Sequence, residues 1–398
     1  MASLSLINRV KYSKTFFSLY NYLGSKAISL FKMFLSSDKR LVVFASFGGR
    51  KYDDSPKAIY EAMIADPRFD DYNIVWAFMH PENYKLPKGE KVKIDTFKYY
   101  KTLLQASVWV HNSSLTRGLN FTGVNTFELN TWHGTAIKRL GSDINAGNNA
   151  FGMKGRKAKK DSQSVMLAQG QYDVDIFSRA FNRPRDTFRV IGLPRNDSLV
   201  NVTIEKQELM KKKLGIPVNK KVILYAPTFR EYEKDSGNNC IMTPPIDLKK
   251  WKTQLGTDYV LLIRAHYEVA KVMGIVNDEF VKNVSTYPCL NDLMIASDIL
   301  ISDYSSIFFD YAIMGKPMLC FAYDYNRYER ERGLYFDIRK ELNCIQLDSE
   351  AVLFDEILHM DIKMRESIAK KFRDKYISKY GTATIKSLDL IKDIIAVH

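Results

Sequence analysis

From Leu41 onward the chain alternates short apolar, β-branched runs with stretches of helical spacing. The first set of strand-like runs is LVVFASFG (41–48), NIVWAFM (73–79), ASVWVHN (106–112), TFELNTW (126–132), SVMLAQG (164–170) and TFRVIG (187–192). A second set follows from Lys221: KVILYAPT (221–228), DYVLLIRAH (258–266), KNVSTYP (282–288), DILISDYSS (298–306) and PMLCFAYD (317–324). Alternation of this kind predicts an α/β chain with mostly parallel sheets. The polar segment 201–221, with Lys211-Lys212-Lys213 and Gly215-Ile216-Pro217, separates the two sets. Beyond about Ser349 the pattern is helical to the C-terminus. These breaks predict a first α/β domain over 41–215, a second over 216–349, and C-terminal helices over 350–398 that brace the two. Two such units facing each other would form a cleft, the usual place for a site.

The first 40 residues follow another pattern. Arg9, Lys11, Lys14, Lys26, Lys32, Lys39 and Arg40 stand against a single acid, Asp38, and are interleaved with leucine, isoleucine, phenylalanine and tyrosine. No apolar run approaches the ~18–20 residues of a spanning helix. Lys26 and Lys32 interrupt any signal-peptide core. The segment reads as one or two basic amphipathic helices suited to an anionic leaflet, and equally as helices packed on the body of the protein.

Composition narrows the classes. At 398 residues the chain is too long for one ordinary core. Its net charge of +14 asks for an anionic counterpart: nucleic acid, anionic lipid or a phosphorylated substrate. Cys240, Cys289, Cys320 and Cys344 show no CxxC spacing and read as reduced cytosolic thiols. No Cys/His cluster has the spacing of a zinc site, so no metal is expected.

The richest stretch is ISDYSSIFFDYAIMG (301–315). An apolar run ends in Asp303-Tyr304-Ser305-Ser306, and Ile307, Phe308, Tyr311 and Ala312 continue with helical spacing to Gly315. Hydroxyls at a helix start, beside unpaired backbone N–H groups, suit an anion. Two other strand ends offer related chemistry. One carries Thr228-Phe229-Arg230 and the next Arg264-Ala265-His266, so three strand ends would converge as for a nucleotide diphosphate. Arg264 can bind phosphate oxygens bidentately and His266 can add a hydrogen bond. In the first half, His133 follows a strand-like run beside Gly134; on its own it reads first as structural, and exposed in a cleft it would suit a general base, with Lys138 and Arg139 nearby for an anionic substrate. The basic run 154–160 reads as a solvated loop with room for an anionic acceptor. Asp173 and Asp175 have a DxD form, but they lie in a helical pattern and read as chance.

In sequence order, FASFGGRKYDDSPKAIYEAM (44–63), WHGTAIKRLG (132–141), GLPRNDSL (192–199), YAPTFR (225–230), RAHY (264–267), SDYSSIFFDYAIMGKPMLCFAYD (302–324) and RGLYFD (332–337) resemble the CDP-glycerol glycerophosphotransferases that build wall teichoic acids and related polymers. The resemblance implies a GT-B-like fold: two Rossmann-type domains facing a central cleft, with an N-terminal amphipathic membrane-binding segment at the cytoplasmic face of the cell membrane. The C-terminal domain would bind the CDP-alcohol donor. The N-terminal domain would face a polyprenol-diphosphate-linked saccharide acceptor. His133 then matches the family's proposed base. Arg264 and His266 match its RxH motif near the donor pyrophosphate, where His266 would join catalysis by stabilising the departing CMP. Asp303, Ser305 and Ser306 match its DYSS turn, and Thr228 and Arg230 its APT-x-R segment. Pro194-Arg195-Asn196-Asp197 matches a PRND segment expected to shape the hinge side of the cleft. Ala136 and Phe229 depart from the proline and tryptophan common there, and 164–172 fits the pattern less well.

The implied reaction is attack of an acceptor hydroxyl on the alcohol-bearing phosphorus of CDP-glycerol, with loss of CMP and no cofactor beyond the donor. Cationic side chains and the Ser305/Ser306 helix start would take the place of a metal. Alternatives are CDP-ribitol as donor, a GT-B glycosyltransferase using a UDP-sugar, and a basic nucleic-acid-binding protein, which lacks a recognisable module. The short stretch before Leu41 favours a primase or short-chain enzyme over a long-chain polymerase. Oligomeric state leaves no mark in the sequence.

Overall fold

The structure, a computed structural model, describes residues 14–121, 125–144, 164–230, 245–265 and 275–397. Twelve strands form two sheets among these residues, and every pairing is parallel. The first sheet contains β1 (Asp38–Ala45), β2 (Asn73–Phe78), β3 (Glu90–Lys93), β4 (Ala106–His111), β5 (Phe127–Asn130), β6 (Ser164–Ala168) and β7 (Phe188–Val190), in the order β3-β2-β1-β4-β5-β6-β7. The second contains β8 (Lys221–Ala226), β9 (Tyr259–Ile263), β10 (Val281–Asn283), β11 (Ile299–Ser302) and β12 (Met318–Cys320), in the order β10-β9-β8-β11-β12. Each strand-like run read from the sequence carries a strand. β3 was not among them, because only Val92 of its four residues is buried and an edge strand needs little apolar surface.

The period of two along β1 explains how its sheet is covered. Val42 and Phe44 point into one core with Ile59, Tyr60 and Met63 of the helix Asp54–Ala65. Val43 and Ala45 point into another with Tyr99 and Leu103 of the helix Phe97–Gln105 and Ile28 of the helix Lys14–Lys32. Both faces are therefore buried, as an all-parallel sheet requires. The second sheet is enclosed within a single larger core that includes Leu224, Leu262, Leu300, Phe308 and Phe372.

The helical C-terminal stretch ties the halves together. The helix Ile362–Tyr376 packs its Phe372 and Tyr376 rings against Phe309 beside the second sheet. The chain then passes to the first half, where the Ser378 and Lys379 amides donate to the Gln169 carbonyl at 2.9 and 3.1 Å. The last helix, Ala383–Val397, buries Leu388 and Ile391 in the first sheet's core.

At the other end, the helix Lys14–Lys32 is docked on one side and open on the other. Asn21 Nδ2 donates to the Gly118 carbonyl at 2.6 Å and Gly24 lies against Leu119. Leu19, Tyr22, Leu23 and Leu30 remain exposed, as do Met33 and Phe34 just beyond it. Among the described residues no helix is long and apolar enough to cross a membrane.

Candidate active site

In open parallel sheets a ligand crevice forms past the carboxyl ends of the strands where the strand order reverses. The reversal points here are β1/β4 and β8/β11. A cleft of about 710 Å³ lies against both. Phe47, Lys51, Asp53, Asp54 and His133 line it from the first sheet; Pro227, Arg264, Ser305 and Ser306 line it from the second.

His133 is held in a loop that regular secondary structure does not support. Trp132 has φ 50° and Gly134 φ 140°, so left-handed residues flank it on both sides. Asn112, the residue after β4, organises the surroundings. Its side-chain oxygen accepts from the Phe47 amide at 2.7 Å, and its carbonyl lies 2.7 Å from His133 Nδ1. A carbonyl only accepts, so Nδ1 carries the proton and Nε2 keeps the lone pair. The imidazole stacks on Trp132 at 4.1 Å between ring centres. Burial holds its pKa below the ordinary histidine value, and Arg195 adds to this, against the opposing pull of the Asn112 bond and Asp54. The result is a neutral ring with a basic Nε2, the state a proton acceptor needs.

Gly134 brings that loop against the opposite wall. A Cβ there would lie 2.7 Å from Ser306 Oγ. Ser306 precedes the helix Ile307–Ala312 with helical backbone angles, and its hydroxyl makes no capping bond. Ser305 Oγ instead accepts from the Ile307 amide at 3.3 Å. The helix is only six residues long, so its dipole is weaker than the sequence suggested, and the hydroxyls carry most of the polarity. Arg264 follows β9; its Nη1 is fixed by the Tyr287 carbonyl at 2.8 Å, and burial lowers its pKa. His133, Arg264, Ser305 and Ser306 thus share one cleft.

Other residues expected there lie elsewhere. Arg230 is fully buried: Nε and Nη2 bond Asp324 at 2.7 and 2.9 Å, and Nη1 bonds the Thr228 carbonyl at 2.6 Å and Asp303 at 2.9 Å. Asp303 in turn accepts from the Thr228 and Tyr304 amides at 2.9 and 2.7 Å. Arg230, Asp303 and Thr228 therefore brace the turn that presents Ser305 and Ser306, rather than lining the cleft. Lys138 and Arg139 do not line it either. They run alongside Gly333–Leu334, with the Arg139 amide donating to the Gly333 carbonyl at 3.0 Å and Lys138 over the Tyr328 ring. His266, the basic run 154–160 and Cys240 lie outside the described residues. The DxD acids belong to the helix Gln171–Ala180: Asp173 is buried, its pKa pushed up to about 6 by burial, while exposed Asp175 pairs with Arg185 at 2.6 Å. Among the described residues no group of histidine, cysteine or acidic side chains could hold a metal ion.

The sequence reading passed over Asp54 and Asp310 and gave Arg195 only a hinge role. Arg195 Nη1 lies 2.6 Å from Asp54 and 3.0 Å from the His133 carbonyl, and Nη2 lies 2.6 Å from Asp310. Burial disfavours the guanidinium charge, but Asp310 and Asp54 outweigh it and raise its pKa. The available signal was Asp53-Asp54 directly before Ser55-Pro56, two acids at a helix start where one cap suffices.

Comparison with known proteins places the chain in a family. The model of the family described as CDP-glycerol:poly(glycerophosphate) glycerophosphotransferase matches residues 27–383. A teichoic acid glycerol-phosphate transferase of Staphylococcus aureus is 32% identical over 353 residues, covering 86% of this chain and 90% of that protein. A teichoic acid poly(glycerol phosphate) polymerase of Staphylococcus epidermidis is 35% identical over 370 residues, covering 89% of this chain; the chain spans only 51% of that relative's length. A solved structure of the wall teichoic acid polymerase TagF, in a variant form soaked with CDPG, superposes with a TM-score of 0.83 at 32% identity and 93% coverage of both chains.

Proposed function

The chain belongs to the CDP-glycerol:poly(glycerophosphate) glycerophosphotransferase family, and from that premise we propose that it transfers glycerol phosphate from CDP-glycerol to a hydroxyl of a polyprenol-linked acceptor, releasing CMP, in teichoic acid synthesis. One observation carries the reading: a neutral, Nε2-basic His133 faces Arg264, Ser305 and Ser306 across a single cleft at two sheet reversal points.

Phosphoryl transfer asks chiefly for positioning and charge stabilisation. His133 Nε2 takes the proton from the acceptor hydroxyl as its oxygen attacks the glycerol-bearing phosphorus. The P–O bond to CMP breaks, and Arg264 with the Ser305 and Ser306 hydroxyls holds the leaving phosphate. Arg230 and Asp303 keep that turn in shape from behind. The relatives' names support glycerol phosphate as the transferred group. The exposed apolar side of the helix Lys14–Lys32, flanked by basic residues, supports a peripheral seat on an anionic membrane surface.

The test is CMP release by the purified protein given CDP-glycerol and a lipid-linked disaccharide analogue, with CDP-ribitol as competing donor. Loss of turnover in His133→Ala by roughly 10²–10⁴-fold is expected for removal of a general base. Turnover at the wild-type rate in that variant removes His133 as the base. Absence of CMP, or nucleotide release only from a UDP-sugar, overturns the reading.

A further inference from the structure

We propose that Arg195 is a positioning residue for His133: its guanidinium joins the histidine loop to the donor-side helix and keeps the imidazole in its neutral, Nε2-basic form. The inference rests on the glycerophosphotransfer reading for its kinetic consequences, but not for its geometry.

His133 has two hydrogen-bonded anchors among the contacts described. The side chain is held through Nδ1 by the Asn112 carbonyl, and the backbone carbonyl is held by Arg195 Nη1 at 3.0 Å. With left-handed residues on either side, no sheet ladder supports the loop, so that second anchor fixes where the ring stands. The same guanidinium reaches Asp310 of the helix Ile307–Ala312 through Nη2 at 2.6 Å. Asp310 Oδ1 also accepts from Asn196 Nδ2 at 2.7 Å, and Asn196 Nδ2 bonds Gln169 Oε1 at 2.9 Å. The Arg195 backbone is itself pinned from both halves: its amide lies 3.3 Å from Ser55 Oγ, and its carbonyl accepts from Asn291 Nδ2 at 2.5 Å. One side chain therefore connects the proposed base, the start of the helix Asp54–Ala65 and the helix behind Ser305 and Ser306.

Charge gives the arrangement a second effect. The charges that act on the His133 imidazole are Asp54, at the start of the helix Asp54–Ala65, and Arg195; Asp53, Lys51 and Arg264 line the same cleft, and Asp310 pairs with Arg195 from behind. Asp54 favours the imidazolium and Arg195 opposes it. Paired, the two charges oppose each other at the ring. Without the guanidinium, Asp54 would face His133 uncompensated and draw a proton onto the nitrogen that must accept one. A group serving only to hold the fold together would leave that titration unmoved.

The experiment reads the His133 imidazole by NMR in the full chain, whose six histidines keep the spectrum sparse, with His133→Asn assigning the resonance. Arg195→Gln is expected to move the His133 titration upward by about one pH unit, and the acid limb of kcat/KM with it. Arg195→Lys retains the charge but cannot span Asp54, Asp310 and the His133 carbonyl together. It should leave the titration near wild type while kcat falls by roughly tenfold to a hundredfold at little-changed donor KM. Asp310→Asn, which preserves volume if Arg195→Gln does not fold, should lower kcat without raising the titration. A folded Arg195→Gln whose His133 titrates as in the wild type overturns the proposal, as does wild-type kcat in both Arg195→Lys and Asp310→Asn. A wild-type protein that releases no CMP defeats the transfer reading instead, and the NMR titration still decides the role of Arg195.

Discussion

At the scale of single residues, the site depends on one side chain that is missing. Gly134 combines a φ of 140° with an approach that leaves no room for a Cβ beside Ser306 Oγ. Gly134→Ala should therefore cost about 1–3 kcal/mol in urea unfolding and raise the donor KM, because the Ser306 hydroxyl must move to admit the methyl group. Wild-type stability and KM would show that the two walls do not meet there. His133 sets a second expectation. Its pKa is held down chiefly by burial, so the acid limb of kcat/KM should fall below the ordinary histidine value of about 6.5. The sign for stability follows: below about 6.5 the unfolded chain binds the proton more readily than the folded one, so folding loses free energy as pH falls through that range. An acid limb above 6.5 would contradict the burial argument. His133 was legible because histidine-glycine after a strand-like run is an unusual placement. Asn112 was not, since it holds His133 through a main-chain carbonyl that any residue carries, and its side chain bonds Phe47, 65 residues away in the chain.

At the scale of elements, the strand-end logic that located the cleft does not separate residues that line it from residues buried behind it. Thr228-Phe229-Arg230 follows β8 just as Arg264 follows β9, and in sequence both are cations after an apolar run. What separates them is Asp324, which follows β12 and occupies two of the Arg230 nitrogens, together with the Tyr304 and Tyr328 rings 4.9 Å from the guanidinium. These partners come from distant positions, and no local pattern announces them. The supporting role predicts a particular failure. Arg230→Met leaves buried Asp303 and half-buried Asp324 without their counter-ion and should destabilise the protein by about 3–5 kcal/mol, measured by urea unfolding, with a matching loss of the turn that presents Ser305 and Ser306. A variant of normal stability that has lost only donor affinity would return Arg230 to the role of a phosphate ligand. The six-residue length of Ile307–Ala312 was likewise hidden, because the apolar spacing runs on to Gly315 although the regular helix stops at Ala312.

At the scale of the whole molecule, parallel strands buried on both faces made the two sheets visible in the sequence, since each leaves a continuous apolar run. Their neighbours were not visible, and neither was the precise seat of the last helix, because packing partners so far apart in the chain share no local signature. The first helix raises the remaining question of scale: which way the molecule faces. Leu30, Phe34 and Phe97 are 60%, 76% and 67% exposed, and Phe97 reaches the helix through a 4.8 Å ring contact with Phe31. Leu30 and Phe34 stand four residues apart at the end of this helix, and Lys26, Lys32 and Lys39 lie close by in the chain. Side chains so exposed contribute little to folding, so replacing Leu30, Phe34 and Phe97 together by glutamate should leave thermal stability close to wild type. On anionic vesicles each inserted side chain would contribute up to about 1.5–3 kcal/mol and each nearby cation about 1 kcal/mol. The triple variant should therefore lose at least ~tenfold in vesicle affinity, and more as salt screens the lysines. Turnover of a water-soluble acceptor should not change, because none of the three lines the cleft. If the variant sediments with vesicles as the wild type does, the membrane surface lies elsewhere; if soluble turnover falls as well, the helix Lys14–Lys32 supports the cleft instead of the membrane.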